Sequence, residues 1–325
     1  MATGSFPIGA SSTLTANSAI NNTTMAGKIP TIWVQELLFT RESNLVAAKL
    51  FRRFNHRGKP GSTLQVPNVD DFTAQDKTTL TSVTIQSAVE GYKQISLNKH
   101  KEVSFIIEDL TALQAAYALR RPYTDKAMYA IAKAIDTDIL ALYSSLATGY
   151  KNIGSDGATA WDPTANANTG NGADLTDAGI RASIELLDNN DVPEEGRFLI
   201  IPPCQKSVLL GIDKFVLANY IGRTIEIQKG KFGSIYGLDV YVSTNCPQLY
   251  ATDAATSYRV AIMGHKDAIW CAIQQDVRVQ ATYEQMYLGN LVTVDVIYGV
   301  KLMRGEANDT TNNRKSHAVA LYVPA

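Results

Sequence analysis

The sequence predicts an α+β protein with one long helix and many strands. A helical stripe of apolar residues runs from residue 122 to 147. The last fifth of the chain, from residue 258 onward, is dominated by β-branched and aromatic runs that alternate with turns. At 325 residues the chain exceeds the size at which one hydrophobic core keeps growing, so we expect two lobes or one core with long extensions.

Composition and charge exclude several classes of protein. The 30 Lys and Arg residues balance 31 Asp and Glu residues, which leaves no global basic excess for gripping nucleic acid. No apolar run reaches the ~18 residues of a membrane span, and the N-terminus lacks the basic start and apolar core of a secretion signal. The three cysteines are odd in number and widely spaced, which argues against a disulfide framework or a zinc site. We therefore expect synthesis in a reducing cytoplasm and no membrane partner.

The N-terminal region combines a polar arm with a helix. Residues 1–30 are rich in Ser, Thr, Asn, Ala and Gly and cannot bury enough apolar surface to offset their ordering entropy. We expect a neighbouring subunit to hold this arm, and the alternative is a tail lying on its own domain. Residues 32–54 then show the three-and-four spacing of a helix.

A basic cluster that no acid interrupts follows at the end of this predicted helix. Its members are Lys49, Arg52, Arg53, Arg57 and Lys59. Three interpretations remain open: ion pairs between subunits, contact with nucleic acid, and a solvated helix end favoured by the helix dipole.

Residues 58–104 form a long polar excursion that predicts a two-stranded ribbon. Alternating apolar residues indicate strands at 63–66, 95–97 and 103–107. Between them lies a turn-rich tip with the charged residues Asp70, Asp71, Asp76 and Lys77. The ribbon has too few apolar residues for its own core, and its open edges invite pairing with another chain. We therefore expect it to lie across a neighbour, with these charges among the contacts.

A long helix follows, beginning near Pro122, a residue suited to the first helical turn. Its apolar face is predicted to comprise Met128, Ile131, Ile135, Ile139 and Leu142. Asp136 and Asp138 are two residues apart, so they do not share a face and do not form a carboxylate dyad. The Gly-, Asn-, Ala- and Thr-rich stretch 148–174 is predicted to be a surface insertion between lobes.

The C-terminal half alternates helices and strands. A helix at 177–188 leads through a Pro/Gly turn into a buried strand at 197–201, which Pro202 and Pro203 end. A helix at 206–218 and strands within 225–243 follow. Further strands are predicted at 258–264 and, as its neighbour, 268–273. A ribbon of residues 277–288 and 291–304 around Gly289 and Asn290 precedes a last strand at 317–323.

Catalytic motifs are missing from the sequence. It contains no Gly-x-Ser-x-Gly, no phosphate loop, no dinucleotide fingerprint and no His-Glu-x-x-His. Cys204 and His265 could form a thiol nucleophile and its base, but Cys204 follows two prolines at a strand end, where cysteine is commonly a small buried residue. We therefore expect no catalytic residue, no cofactor and no metal.

Two stretches carry a family resemblance. Residues 192–203 read VPEEGRFLIIPP, and residues 233–243 read GSIYGLDVYVS. Taken in order with the arm, the ribbon, the long helix, the turn GHKDA at 264–268 and the strand YGVK at 298–301, they resemble the shell fold of tailed-phage major capsid proteins, which herpesvirus shells and encapsulins share. Residues 304–307 depart mildly, because many relatives have a proline there.

The resemblance implies the phage capsid fold with an N-terminal arm, an extended β-ribbon loop, a peripheral lobe with a long spine helix, and an axial α/β lobe. It divides the chain into an arm and leading helix (1–54), an extended loop (55–105), a peripheral domain (106–176), an axial domain (177–276), a peripheral ribbon (277–304) and a strand returning to the axial domain (305–325). Some relatives form lysine–asparagine crosslinks, for which Lys77 is available.

The implied function is a major capsid protein that assembles, in the virion, into an icosahedral head shell around phage DNA. The implied partners are further copies in hexamers and pentamers, a separate scaffolding protein, a portal, a decoration protein as an optional addition, and packaged double-stranded DNA through non-specific contacts. Synthesis would take place in the host cytoplasm. The alternatives are an encapsulin-like cellular compartment and a soluble oligomeric thiol hydrolase using Cys204.

Overall fold

The computed structural model of the chain describes residues 45–58, 60–69, 72, 74–87, 90–109, 120–212, 234–307 and 315–325. The predicted polar arm, the first part of the helix predicted at 32–54, Lys59, Asp70 and Asp71 lie outside the described residues, as do residues 213–233. The helices are α1 (Ala47–Leu50), α2 (Arg120–Leu140), α3 (Ala165–Asn168, a single turn), α4 (Asp177–Asp188) and α5 (Pro203–Leu210). The strands are β1 (Arg52–Asn55), β2 (Thr63–Val69), β3 (Glu90–Ser96), β4 (Lys99–Glu108), β5 (Lys151–Ile153), β6 (Arg197–Ile201), β7 (Ser234–Ile235), β8 (Leu238–Val242), β9 (Gln248–Tyr250), β10 (Ser257–His265), β11 (Ile269–Glu284), β12 (Gly289–Leu302) and β13 (Ala318–Pro324).

A four-stranded sheet in the order β1-β11-β12-β4 supports α2. The pair β1/β11 is parallel, and the pairs β11/β12 and β12/β4 are antiparallel. Ile131 and Ile139 of α2 pack with Val294, Val296 and Tyr298 of β12 in one hydrophobic core. This packing stabilises α2, because helices in proteins gain most of their stability from tertiary packing of an apolar face.

A seven-stranded sheet forms the second layer, in the order β5-β13-β10-β6-β8-β7 with β9 paired to one end of β10. Its central strands are buried on both faces. Ile200 points into the core shared with α2, whereas Leu199 and Ile201 point into a second core beneath α4 and α5. Burial on both faces explains why residues 197–201 read as a continuous apolar run, and this predicted strand is confirmed.

The predicted ribbon is present as the antiparallel pair β2/β3, in register from Thr63 opposite Ser96 to Val69 opposite Glu90. Among the ribbon side chains that the structure describes, the buried ones lie at its base, where Ile95 and Leu97 pack with Ala272 and Met303 in a small cluster. The chain then enters β4, which pairs with β12 over its whole length.

The helix predicted at 32–54 is wrong after Leu50. Residues Arg52–Asn55 form β1, because their backbone pairs with β11 rather than with the preceding turn. Arg52 N–H donates to Lys266 O at 3.0 Å and His56 N–H donates to Ile273 O at 3.0 Å. This partner lies over two hundred residues away, so tertiary pairing overrides the local helical pattern.

The long helix is confirmed but ends early. It stops at Leu140, and a 3₁₀ segment (Ala141–Ser145) follows. Ile131 and Ile139 are buried, whereas Met128 is 39% exposed, so its assignment to the buried face is wrong. The helix predicted at 206–218 begins earlier, at Pro203, which occupies the first helical turn.

The predicted surface insertion at 148–174 is wrong in part, because it contains β5, which pairs in parallel with β13. Trp161 stacks on Tyr322 with ring centroids 4.4 Å apart and planes at 4°. This aromatic contact fixes the insertion to the seven-stranded sheet.

Residues 268–273 do not pair with β10 as predicted; they begin β11 in the other sheet. The chain therefore changes sheets between His265 and Ile269. β11 continues unbroken to Glu284, and the hairpin turn is 285–288, because Gly289 already pairs with Glu284. The turn predicted at Gly289 and Asn290 is displaced accordingly, and the division into domains stays a prediction.

Candidate intersubunit surfaces

The basic cluster predicted at the end of the first helix lies on and after β1, the edge strand of the four-stranded sheet. Arg52 forms an ion pair with Asp267 at 3.2 Å, Arg53 Nε donates to Ala48 O at 2.7 Å, and Arg57 forms an ion pair with Asp276. The paired side chains are about half exposed, so these ion pairs contribute little to stability. The cluster is thus partly neutralised within its own subunit.

The strand β1 presents aromatic as well as basic groups. All four of its residues are exposed. The Arg52 guanidinium lies 4.7 Å from the centroid of the Trp270 ring, and Phe54 stacks on the same ring at 6.3 Å. Among the described strands β1 pairs with β11 alone, so its outer edge ends the sheet that they form.

The ribbon tip carries apolar side chains that the sequence pattern did not indicate. Leu80 is 100% exposed and Ile85 is 89% exposed, and Phe72 and Val83 are also exposed. Asp76 and Lys77, two of the predicted intersubunit residues, lie exposed on the same tip, on a different element from the basic cluster. Thr and Ser residues surround these apolar residues in the sequence. The mean hydropathy of the tip is therefore polar and did not indicate them.

A second apolar tip lies at the turn between β11 and β12. Met286, Tyr287 and Leu288 are all more than 60% exposed. Tyr283 O–H donates to Asp109 Oδ2 at 2.7 Å, and this hydrogen bond to a carboxylate raises the pKa of Tyr283. No sequence motif marks this hairpin tip; only its position between two long strands does.

Asp136 and Asp138 of α2 make separate contacts, as their spacing predicts. Tyr298 O–H donates to Asp138 Oδ2 at 2.6 Å, and Lys99 Nζ lies 3.0 Å from the same oxygen. Burial alone would raise the pKa of Asp138, but the hydrogen bonds from Tyr298 and Lys99 outweigh it and lower the pKa. This carboxylate therefore ties α2 to β12 and β4.

Asp136 is fully buried and joins three parts of the chain. It accepts a hydrogen bond from Ala48 N–H at 3.2 Å and one from Asn245 Nδ2 at 3.0 Å. These two hydrogen bonds fix the position of α2 relative to α1 and to the segment before β9. Two charge-assisted hydrogen bonds offset the cost of burying this carboxylate.

Two buried histidines lie where the chain crosses between the sheets. His265 ends β10, His317 precedes β13, and their ring centroids are 6.2 Å apart. The backbone N–H of His265 donates to His317 O at 2.9 Å, and His265 Nε2 lies 3.0 Å from Glu195 O. Burial lowers the pKa of His265, and burial with the nearby Arg304 and His265 lowers the pKa of His317 to about 4.

We expect these histidines to make the subunit less stable in acid. Unfolded histidine has a pKa near ~6.5, so between pH 6.5 and 4 the unfolded chain binds a proton that folded His317 does not. Stability is therefore fully present above about pH 6.5 and is lost as the pH falls towards 4, by about 3 kcal/mol for His317 alone. Urea unfolding at pH 7.5, 5.5 and 4.5 measures this loss. The variant His317→Gln should show a shallower pH dependence, and equal slopes for both proteins would contradict the assignment.

The cysteines are occupied in packing. Cys204 Sγ donates to Pro324 O at 3.3 Å, while His265 has the partners described above, so the candidate thiol pair is not assembled. Burial raises the pKa of Cys246 to about 12 and that of Cys271 to about 11. Within the part of the chain that the structure describes, no three His, Cys, Asp or Glu residues are grouped as metal ligands. No described helix is both long and apolar enough to cross a bilayer.

The geometry defines a class of protein. The subunit is built on two sheets, its buried polar groups serve packing, and its ribbon and hairpin expose apolar tips. These features are typical of a subunit that assembles with others. The family model described as "Phage capsid protein" matches residues 105–312, more than half of the chain. The chain belongs to the phage capsid protein family. No curated protein sequence matches it.

Solved structures agree in fold. A chain from Mycobacterium phage Che8 is similar with a TM-score of 0.69 at 19% identity, over 90% of this chain and 96% of the other. The capsid structure of the cyanophage P-SCSP1u is similar with a TM-score of 0.70 at 17% identity, over 95% and 96%. A chain from Gordonia phage Cozz is similar with a TM-score of 0.61 at 15% identity, over 98% and 99%. The predicted fold class is confirmed.

Family and fold together identify a major capsid protein, a structural protein of the virion shell. These findings support the phage capsid interpretation and give no support to the encapsulin-like compartment or the thiol hydrolase.

Proposed function

We propose that subunits of this protein join into hexamers and pentamers of an icosahedral head shell, and that the β2/β3 ribbon of each subunit lies across a neighbour. The observation that carries the proposal is the exposed apolar surface of the ribbon tip, where Leu80 and Ile85 are 100% and 89% exposed. Large apolar side chains collected on a projecting tip mark an interaction site.

The ribbon's dependence on a partner follows from its packing. Its apolar residues that contact the body, Ile95 and Leu97 with Leu64 and Val66, all lie at the base. A two-stranded hairpin without such support is marginal in water, so the part beyond the base gains order when another surface covers it. The apolar tip of the β11–β12 hairpin supplies a second contact of the same kind.

The charged residues take secondary roles in this proposal. Arg52, Arg53 and Arg57 on and after β1, with Lys59, and Asp70, Asp71, Asp76 and Lys77 on the ribbon are proposed as intersubunit contacts. The basic cluster is partly neutralised within its own subunit. It is therefore suited to setting the register of the contact between subunits rather than to supplying most of the affinity of that contact. Non-specific contact with packaged DNA is the second role proposed for the basic members.

The remaining parts of the proposal rest on family membership. The domain division at 54, 105, 176, 276 and 304, the arm of residues 1–30 held by a neighbour, a separate scaffolding protein, a portal, a decoration protein and synthesis in the host cytoplasm are proposed on that ground. No enzymatic role is proposed, and the hydrogen bond from Cys204 to Pro324 O supports that choice.

The double variant Leu80→Asp with Ile85→Asp tests the ribbon's role. Burying two such side chains contributes about 4 kcal/mol per contact, so their loss should weaken subunit association ~1,000-fold and abolish shells. The isolated subunit should melt as the parent does, because both side chains are exposed. Electron microscopy counts shells, and calorimetry measures melting.

A matched control adds the same charge on the same tip without removing apolar surface. Thr79 and Thr84 are the chain neighbours of Leu80 and Ile85, and both are exposed. The double variant Thr79→Asp with Thr84→Asp should still assemble. Shells of normal yield from the Leu80 and Ile85 variant would remove the basis of the proposal, and failure of both variants would assign the effect to charge alone.

A further inference from the structure

The end of β3 lies very close to the body of the protein at a glycine. Gly299 lies in β12 beneath the end of β3, and a Cβ placed there would lie 2.2 Å from Ser96 O and 2.9 Å from Ser96 C. Its φ is not in the left-handed region, so backbone conformation does not require glycine here. The requirement is the close approach of the ribbon backbone to the sheet.

The surroundings of Gly299 form a seat for the ribbon. Ala272, the partner of Gly299 across β11 and β12, is fully buried and packs with Ile95 and Leu97 of the ribbon base. Two small residues side by side therefore make a flat floor on which the ribbon base rests.

Hydrogen bonds hold the ribbon on this seat from both sides. Lys93 Nζ donates to Met303 O, and Gln274 Nε2 donates to Gly61 O at 3.1 Å. Directly after the seat, Lys99 pairs with Tyr298, so the chain passes from ribbon to sheet edge within three residues of Ser96. The base of the ribbon has little freedom to turn.

We propose that Gly299 is a positioning residue for assembly: by letting Ser96 touch the sheet, it sets the orientation of the ribbon on the subunit. The inference rests on the proposed role of the ribbon in contacting a neighbour. Gly299 is buried within its own subunit, so it acts through the ribbon.

A small change at this seat alters the orientation of the ribbon. A methyl group at Gly299 would lie about 1 Å too close to Ser96 O for an ordinary contact, so the β3 side of the ribbon must rise by about that distance. Across a strand spacing of ~4.8 Å this is a rotation of about 0.2 radian about the long axis of the ribbon. The rotation turns the side chains of the tip away from the direction in which they meet their target.

The variant Gly299→Ala tests the proposal, with Gly91→Ala as a matched control. Gly91 lies in β3 of the same ribbon, and a Cβ there meets nothing within 4 Å. Each protein is produced with the phage's head proteins, and particle yield and diameter are measured by electron microscopy beside the melting temperature of the free subunit. We expect Gly91→Ala to give parental shells, and Gly299→Ala to give a folded subunit with at least a tenfold loss of parental-diameter shells.

Parental shells in parental yield from Gly299→Ala would overturn the proposal. If Gly299→Ala does not fold, the double variant Lys93→Met with Gln274→Ala decides, since it keeps the glycine and removes both side-chain ties. It should broaden the diameter distribution, and an unchanged distribution would overturn the proposal. A subunit that lacks the ribbon tip separates the two claims. If this subunit assembles normally, the proposed function fails. If this subunit does not assemble while Gly299→Ala assembles normally, only the positioning role is wrong.

Discussion

Replacing residues 70–89 with an Asn–Gly turn is expected to give a folded subunit that forms no shells. Val69 and Glu90 are the last pair of the ribbon ladder, and a two-residue Asn–Gly turn closes an antiparallel pair of this kind. The removed segment holds the exposed side chains of Leu80, Val83 and Ile85, so it contributes little to the core. The melting temperature should stay within about 2 °C of the parent, close to the shift that about 1 kcal/mol produces at this size.

This replacement should abolish shell assembly and leave the folding of the subunit unchanged. Particle counts by electron microscopy should fall to background, while calorimetry shows one transition near the parental temperature. A control subunit with the same residues 70–89 in scrambled order keeps loop length and composition and should also fail to assemble. A replaced subunit that does not fold would place the tip in the core, and one that assembles normally would remove the ribbon from the mechanism.

The variant Ile131→Asp is expected to abolish soluble, folded subunits. Ile131 is 1% exposed and lies between α2 and the four-stranded sheet, in the core that both sheets share. A buried carboxylate without a partner costs on the order of 5 kcal/mol, which is comparable to the whole stability of an ordinary domain. Soluble yield, and far-UV circular dichroism of any soluble fraction, measure the effect.

The variant Met128→Asp is the matched control on the same helix. Met128 lies one turn before Ile131 and is 39% exposed, so the new carboxylate stays hydrated. Both variants place aspartate within α2 and share its unfavourable helix propensity, which isolates burial as the cause. Equal yields from the two variants would show that this face of α2 is not the buried one.

Local patterns in the sequence predicted the elements whose partners are near in the chain or whose burial is uniform. Residues 197–201 read as a strand because Gly196 and Pro202 bound an apolar run. The ribbon pair β2/β3 and the helix α4, which Thr176 caps by accepting a hydrogen bond from Gly179 N–H, were predictable for the same reason.

Distant pairing explains the elements that the sequence did not reveal. β1 pairs with β11 and β5 pairs with β13, in both cases in parallel with strands more than a hundred residues away. The parallel partner supplies the hydrogen bonds, so the local residues need not look like a strand. The long helix ends at Leu140 because packing of Tyr143 against Tyr322 replaces the next helical turn.

The candidate surfaces were predictable only in part. Charge patterning led to Arg52, Arg53 and Arg57, and the structure gives each of them a partner within the same subunit. The polar residues around Leu80 and Ile85 make the mean hydropathy of the tip polar, so the sequence did not indicate these two side chains. The orientation of the ribbon that presents them depends on Gly299, for which the sequence carries no signal beyond a glycine within a strand.

Photo-crosslinking from residue 80 in assembled particles tests most directly whether the ribbon of one subunit lies on another. A photoreactive amino acid replaces Leu80, and particles are assembled from a mixture of ¹⁴N- and ¹⁵N-labelled subunits. After irradiation, mass spectrometry identifies the crosslinked peptide pairs. We predict pairs that carry both isotopes, which form only between chains. Pairs carrying a single isotope throughout would show that the ribbon folds back on its own subunit and would contradict this account of assembly.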